Sequence, residues 1–185
     1  MSKNFCAVLT ALLVGCATPP AQPIKFQLDA GEGNAGVPNA GRSACALYVK
    51  AVVDARSADE QVAPSRSYRI FTESVPRWVR DGVASLDKMG HRVVFAEGQT
   101  RPTPADVMLS ITIRKAYVHP QISKSANLVL SVDYQHGEKS ESRVYRGNDA
   151  SLNWSGSADE LESAMNRALT QVLTQISSDA RRLCS

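Results

Sequence analysis

The stretch 106-DVMLSITIRKAYV-118 carries more of the fold than any other part of the chain. Val107, Leu109, Ile111 and Ile113 occupy every second position. Successive side chains of a strand point to opposite faces, so this spacing predicts a long strand with one buried side. The same alternation returns at Leu128, Leu130 and Val132, within a strand expected over residues 126–135. His136-Gly137-Glu138-Lys139 then supplies a hairpin turn, and residues 142–154 read as the returning strand. Three consecutive long strands joined by short loops predict an antiparallel meander.

The pattern thins on the N-terminal side. Residues 46–53, "ALYVKAVV", alternate with Leu47, Val49, Ala51 and Val53 on one face and end in the turn-type residues Asp54-Ala55-Arg56-Ser57. Weaker strands are expected over residues 66–71 and 92–96. Between these, Ser74 suits a helix N-cap, and Pro76 is tolerated in a first turn. Val75, Trp78, Val79, Val83, Leu86 and Met89 recur at helical spacing, and Gly90 suits the left-handed residue beyond a helix end. Gly82, inside that helix, costs about 1 kcal/mol relative to alanine, which points to a close approach to the sheet.

The C-terminal segment is the clearest helix. Ser157 and Glu160 form a capping box, in which each satisfies the other's orphan backbone donor. Leu161, Ala164, Met165, Ala168, Leu169, Val172, Leu173, Ile176 and Leu183 follow as one apolar stripe, wide enough to lie on a sheet. Arg181 and Arg182 complement the dipole at its end. The expected fold is α+β: a two-layer sandwich with two helices packed on one face of a mainly antiparallel sheet. No internal repeat occurs.

The first residues fix the expected address. Met1-Ser2-Lys3-Asn4 carries one positive charge, and residues 5–14 are apolar. This is the pattern of a secretory signal peptide and is too short for a transmembrane helix, which needs roughly 20 apolar residues. The run stops in "ALLVGCATPP", residues 11–20, whose Leu13-Val14-Gly15-Cys16 resembles the lipobox of bacterial lipoproteins. The resemblance implies that residues 1–15 are cleaved and that Cys16 carries N-acyl and S-diacylglyceryl groups. A plain secreted protein whose Cys16 merely falls near the cleavage site is the alternative. One acyl chain anchors only marginally, whereas a multiply acylated cysteine holds a membrane durably. In such lipoproteins an aspartate after the cysteine commonly retains the protein at the inner membrane. Ala17 stands there instead, which implies the periplasmic face of the outer membrane.

Residues 16–44 then read as a lipidated cysteine and a flexible tether. Prolines stand at 19, 20, 23 and 38 and glycines at 31, 33, 36 and 41, with few large apolar groups to offset chain entropy. Within it, Ile24, Phe26 and Leu28 alternate and could form a short strand against a partner. Residues 45–185 form a single α+β periplasmic domain. Removing Lys3 with the signal lowers the formal charge from +3 to +2. Such a balanced chain argues against electrostatic nucleic-acid binding. After lipidation of Cys16 the mature chain keeps Cys45 and Cys184, an even pair in an oxidising compartment. A disulfide between them is expected; two free thiols are the alternative.

The order of these elements resembles that of the YajG-type bacterial lipoproteins. The residues that carry the resemblance are the lipobox and Pro-rich leader, "VVDAR" at 52–56, "KMGHRVV" at 88–94, "ADVMLSITI" at 105–113, "VYRGNDASLNW" at 144–154 and "ALTQVLTQISSD" at 168–179. The resemblance implies an outer-membrane lipoprotein with a two-layer domain and brings no catalytic residues with it. The same broad fold is similar to the auxiliary lipoproteins of ABC-type lipid transporters. That second resemblance implies contact with a transporter, or an apolar cleft for an acyl chain between the sheet and the Trp78 helix.

Recognisable chemistry is scarce. His91, His119 and His136 stand apart from one another, and no HExxH, CxxC, nucleophile elbow or phosphate-binding loop occurs. His91, after a helix-ending glycine, and His136, in a hairpin turn, are expected to be exposed. Asp54 and Arg56 read as a surface ion pair at a strand end, with a catalytic pair as the alternative, and Trp78 and Trp154 as packing residues, with a ligand platform as the alternative. No metal and no cofactor beyond the lipid on Cys16 are expected, and no enzymatic activity. The candidate partner-binding residues are Lys115, Tyr117, Asp133 and Tyr134, taken as the polar side of the meander. The expected partner is an envelope protein or the cell wall, reached from a membrane anchor.

Overall fold

A computed structural model describes residues 22–24, 45–57, 68–70, 74–96, 102–119, 124–151 and 157–185. The meander is present as β5 (Val107–His119), β6 (Lys124–His136) and β7 (Lys139–Ser151), paired antiparallel along nearly their whole lengths. Beyond β5 lie β2 (Ala46–Asp54) and β4 (Arg92–Phe95), giving the sheet order β4-β2-β5-β6-β7. Both pairings of β2 are parallel, so the sheet is mixed, with antiparallel pairings the longer ones. Parallel neighbours need a crossover, and α1 (Ser74–Ala84), extended by a 3₁₀ turn at Ser85–Met89, lies in the connection from β2 to β4. Gly90 closes that turn at φ 92°. A separate two-stranded parallel sheet pairs β1 (Gln22–Ile24) with β3 (Tyr68–Ile70). The weak strand expected near residue 68 therefore lies outside the main sheet, and part of the expected tether is strand. Phe26 and Leu28 lie outside the described residues.

The apolar stripes meet between the sheet and the helices. Leu109, Ile111, Ile113, Leu128, Leu130 and Val132 are buried against α2 (Ala158–Leu183) and α1, with Leu161, Met165, Leu169, Val172 and Ile176 facing them. Each such buried aliphatic side chain contributes about 1.5–3 kcal/mol. The Ser157 hydroxyl accepts from the Glu160 N–H at 3.3 Å, the cap read in the sequence. Two glycines allow the closest approaches. A Cβ on Gly147 would stand 1.9 Å from the Ala168 carbonyl oxygen, so α2 rests directly on the β7 backbone. At Gly82 it would stand 2.6 Å from Leu169 Cδ2, so α1 closes on α2 rather than on the sheet.

Two β-bulges alter the expected alternation. In β2 the register against β5 shifts between Val49 and Ala51. Leu47 and Val49 face the helices, but beyond the bulge Val52 packs on the core and Val53 is 52% exposed. Ala51 and Val53 therefore leave the face on which simple alternation places them. In β5 the shift falls between Ile113 and Lys115, after which Ala116 is the buried residue. The Asp54–Arg56 pair sits beside this second bulge and is not a surface pair. The Arg56 side chain is fully buried and donates to both Asp54 carboxylate oxygens, at 2.8 and 2.6 Å, and to the Ala116 carbonyl at 3.3 Å. Burial opposes charge on Asp54, but the hydrogen bonds and charge of Arg56 outweigh it and hold the carboxyl below its ordinary range.

Cys45 and Cys184 form a disulfide with their Cα atoms 5.5 Å apart. It joins the residue before β2 to the residue after α2, across a sequence separation of 139. Next to it, the buried Asp106 carboxylate accepts from the Ala46 N–H at 3.0 Å and from the Thr103 N–H and hydroxyl at 2.7 and 2.8 Å.

Candidate interaction surface

Both helices cover one face of the sheet, and cross-strand register defines what the other face presents. Val53, Thr112, Ser131 and Val144 stand in one row across β2, β5, β6 and β7. The neighbouring row is Lys115, Val129 and Arg146, and the next is Tyr117, Asn127 and Asn148. On the other side lie Ser110, Asp133 and Ser142. Val53 and Val144, at 52% and 54% exposure, are the large aliphatic side chains most open to solvent among the described residues. They flank a strip of two small hydroxyl groups. Asn148 donates to Asn127 at 2.7 Å, and the Ser142 hydroxyl bonds the Asp133 carboxylate.

This placement brings Lys115, Tyr117 and Asp133 onto one surface. Lys115 and Asp133 are exposed, and Tyr117 is half-buried. Tyr134 is not with them. It follows Asp133 directly in a regular strand, so it points to the helix side, where it is 1% exposed. Its hydroxyl bonds the Tyr145 hydroxyl at 2.7 Å, and the rings meet edge to face with centroids 6.5 Å apart. Tyr145 in turn donates to Asp179 at 2.7 Å, and Arg143 donates to the other Asp179 oxygen at 2.8 Å. Burial raises both tyrosine pKa values well above the phenol range, with Asp179 adding to the effect. Both hydroxyls therefore stay protonated and serve as a brace between β6, β7 and α2. Composition gave no hint of this cluster, although period-2 counting from Val132 places Tyr134 on the apolar side.

The histidines also fall differently. His91 is 1% exposed, not on the surface, because α2 lays Ser177 over it with its hydroxyl 2.8 Å from Nε2. Its Nδ1 has no hydrogen-bond partner among the described residues. Burial, reinforced by the nearby Arg181 charge and only partly offset by Ser177, lowers its pKa. His136 is half-buried and lines a cavity of about 590 Å³ with Lys139, Glu141 and Arg182. The His119 side chain, Trp154 and Cys16 lie outside the described residues. Trp78 is 1% exposed and donates to Asn166 at 2.7 Å, so packing and a buried hydrogen bond fill the α1–α2 contact. Among the described residues, no group of three His, Cys, Asp or Glu side chains is placed to hold a metal, and no helix is long and apolar enough to cross a membrane.

No protein-family model and no curated protein matches the sequence. Solved structures do. Protein XCC0632 from Xanthomonas campestris, described as DUF330, is similar at a TM-score of 0.62 and 16% identity, over 88% of this chain and 96% of that one. An uncharacterised protein follows at 0.53 and 15%, over 89% and 99%. The hypothetical protein CT253 from Chlamydia trachomatis reaches 0.51 at 8% identity, over 76% and 99%. What they share with this chain is the α+β fold.

Proposed function

We propose that the chain is a lipid-anchored protein of the periplasmic face of the outer membrane, of YajG type, that works by binding and does no covalent chemistry. Cys16 is the anchor, and the open sheet face captures an envelope protein or the cell wall. The observation that carries the reading is the row Val53–Thr112–Ser131–Val144, bordered by Lys115 and Arg146, left uncovered by both helices. A lipid-transport role would call for an apolar cleft at the Trp78 helix. There Val75, Val79 and Val83 are fully buried in the core.

The test compares Lys115→Glu and Arg146→Glu with the wild type in capture of partners from solubilised envelopes and in complementation of a deletion strain. Reduced capture and reduced complementation at unchanged thermal stability support the reading. Wild-type behaviour in both assays refutes it. Palmitate labelling and membrane fractionation of Cys16→Ser test the anchor separately, and normal labelling would remove it.

A further inference from the structure

β7 is an edge strand, and an uncovered edge is a template for another strand. α2 seals part of it. The Gln171 amide accepts from the Asn148 N–H at 3.0 Å and donates to the Asn148 carbonyl at 2.9 Å, standing where a neighbouring strand's peptide would. Gln175 donates to the Arg146 carbonyl at 3.0 Å. These bonds show that the even-numbered residues of β7 aim their backbone groups away from β6. Pairing with β6 is unbroken from Lys139 to Ser151, so Ser140, Ser142 and Val144 aim outward too. Among the described residues none of those three has an outward backbone partner. The helix thus closes the edge at Arg146 and Asn148 and leaves 140–144 open.

We propose that two copies of this chain pair antiparallel along the open stretch of β7, centred on Ser142 of each, to form one ten-stranded sheet. The sequence of the strand is self-complementary in that register. Ser142 opposes Ser142, Ser140 opposes Val144, Glu141 opposes Arg143, and Glu138 opposes Arg146. Each charge pair occurs twice across the two-fold axis, and no like charges are opposed. The three outward residues of each copy exchange their N–H and C=O groups with those of the other.

The length of the open stretch fits this register and no longer one. Past Val144 the strand would meet Arg146, opposite the partner's Glu138, where the partner chain is already turning at Gly137 with φ 58°. A register centred on Val144 would instead have to displace both glutamines. A hollow of about 470 Å³ lies at the Val144 end of the open stretch, lined by Arg143, Val144, Tyr145, Gln175, Ser178 and Asp179. It gives room for the partner's Glu141 and Arg143. In this copy Glu141 and Arg143, 33% and 40% exposed, already pair with each other and with Arg182 and Asp179, so the partner's two side chains would join that network at its exposed side.

The test uses the full chain in its membrane and after detergent extraction. A Ser142→Cys thiol lies on the axis beside its own copy, at a Cα separation of about 5.5 Å for a hydrogen-bonded antiparallel pair, which a disulfide spans. Mild oxidation should give a covalent dimer on non-reducing electrophoresis, while Asn148→Cys, on the sealed edge, should give none. In sedimentation, Glu138→Arg or Arg146→Glu alone should weaken the dimer about fivefold, the effect of two lost cross-strand charge pairs, and the two together should restore it. A folded Ser142→Cys protein that stays monomeric overturns the proposal. So does equal cross-linking through Asn148→Cys, or a double charge variant no better than the singles.

Discussion

Replacing Gly147 by alanine sets two effects against each other. Glycine inside a strand is less favourable than alanine by roughly 0.5–1 kcal/mol, so local preference alone predicts a gain. Packing predicts the reverse. The new Cβ would lie 1.9 Å from the Ala168 carbonyl oxygen and 2.7 Å from the carbonyl carbon, against an ordinary contact of 3.4 Å or more. The obstructing atoms belong to the α2 backbone, which no rotamer change can move. The helix must lift by about 1.5 Å, loosening Leu169, Val172 and the Gln171 bonds to Asn148. Overpacking of this kind costs about 1–3 kcal/mol when side chains yield, and more when backbone must move. The expected loss for Gly147→Ala is therefore about 3 kcal/mol or more, read as a lower urea midpoint. Gly82→Ala is the internal control. Its clash is with the end of the Leu169 side chain, and the helix gains about 1 kcal/mol of propensity, so its net change should be small. A Gly147→Ala protein within 1 kcal/mol of the wild type would refute the direct seating of α2 on β7.

Two further predictions concern the disulfide and His91. Reduction, or Cys45→Ser, opens a loop of 139 residues and should cost roughly 4–5 kcal/mol on the chain-entropy account, with an unchanged midpoint in reductant as the contrary result. His91 is neutral in both states above its ordinary pKa of 6.5. Below that pH the unfolded chain takes up the proton while the folded one, with its lowered value, resists. Stability should fall as the pH drops below about 6.5, by up to about 1.4 kcal/mol per unit, and His91→Gln should remove that part of the slope. An identical slope in the variant would remove the argument.

The sequence made the long elements legible because each buries one side. Val107 to Ile113 and Leu128 to Val132 repeat every two residues, and the α2 stripe follows its capping serine at helical spacing. The bulges at Val49/Ala51 and Ile113/Lys115 left no such mark. No glycine or proline announces them, and they arise where β5 is fitted against β2 on one side and β6 on the other. The expectation that Val53 is buried failed for that reason. The burial of His91 was equally hidden, since Ser177 comes from 86 residues away. Strand order was out of reach too. That β2 lies between β4 and β5 depends on which edge the crossover selects, a choice no local pattern records. For the interaction surface, period 2 groups Lys115 and Tyr117 on one side but separates Asp133 from Tyr134. Reading tyrosine as polar obscured that separation.

How charge is spent on the two faces bears on what the open one can bind. On the helix side the ions are consumed internally: Arg143 and Arg182 reach Glu141 and Asp179, and Arg167 reaches Asp149 at 3.0 Å. The two arginines hold Glu141 below the ordinary carboxylate range. On the open face Asp133 is engaged by Ser142, while Lys115 and Arg146 border the Val129 position with no carboxylate opposite them in register. These two cations thus stand beside the exposed valines on the open face. A partner that covers Val53 and Val144 must also meet those two cations. An acidic surface does so favourably, and a basic one is repelled before the apolar row can be buried. Selectivity for such a partner therefore follows from the same helix placement that seals the other side of the sheet.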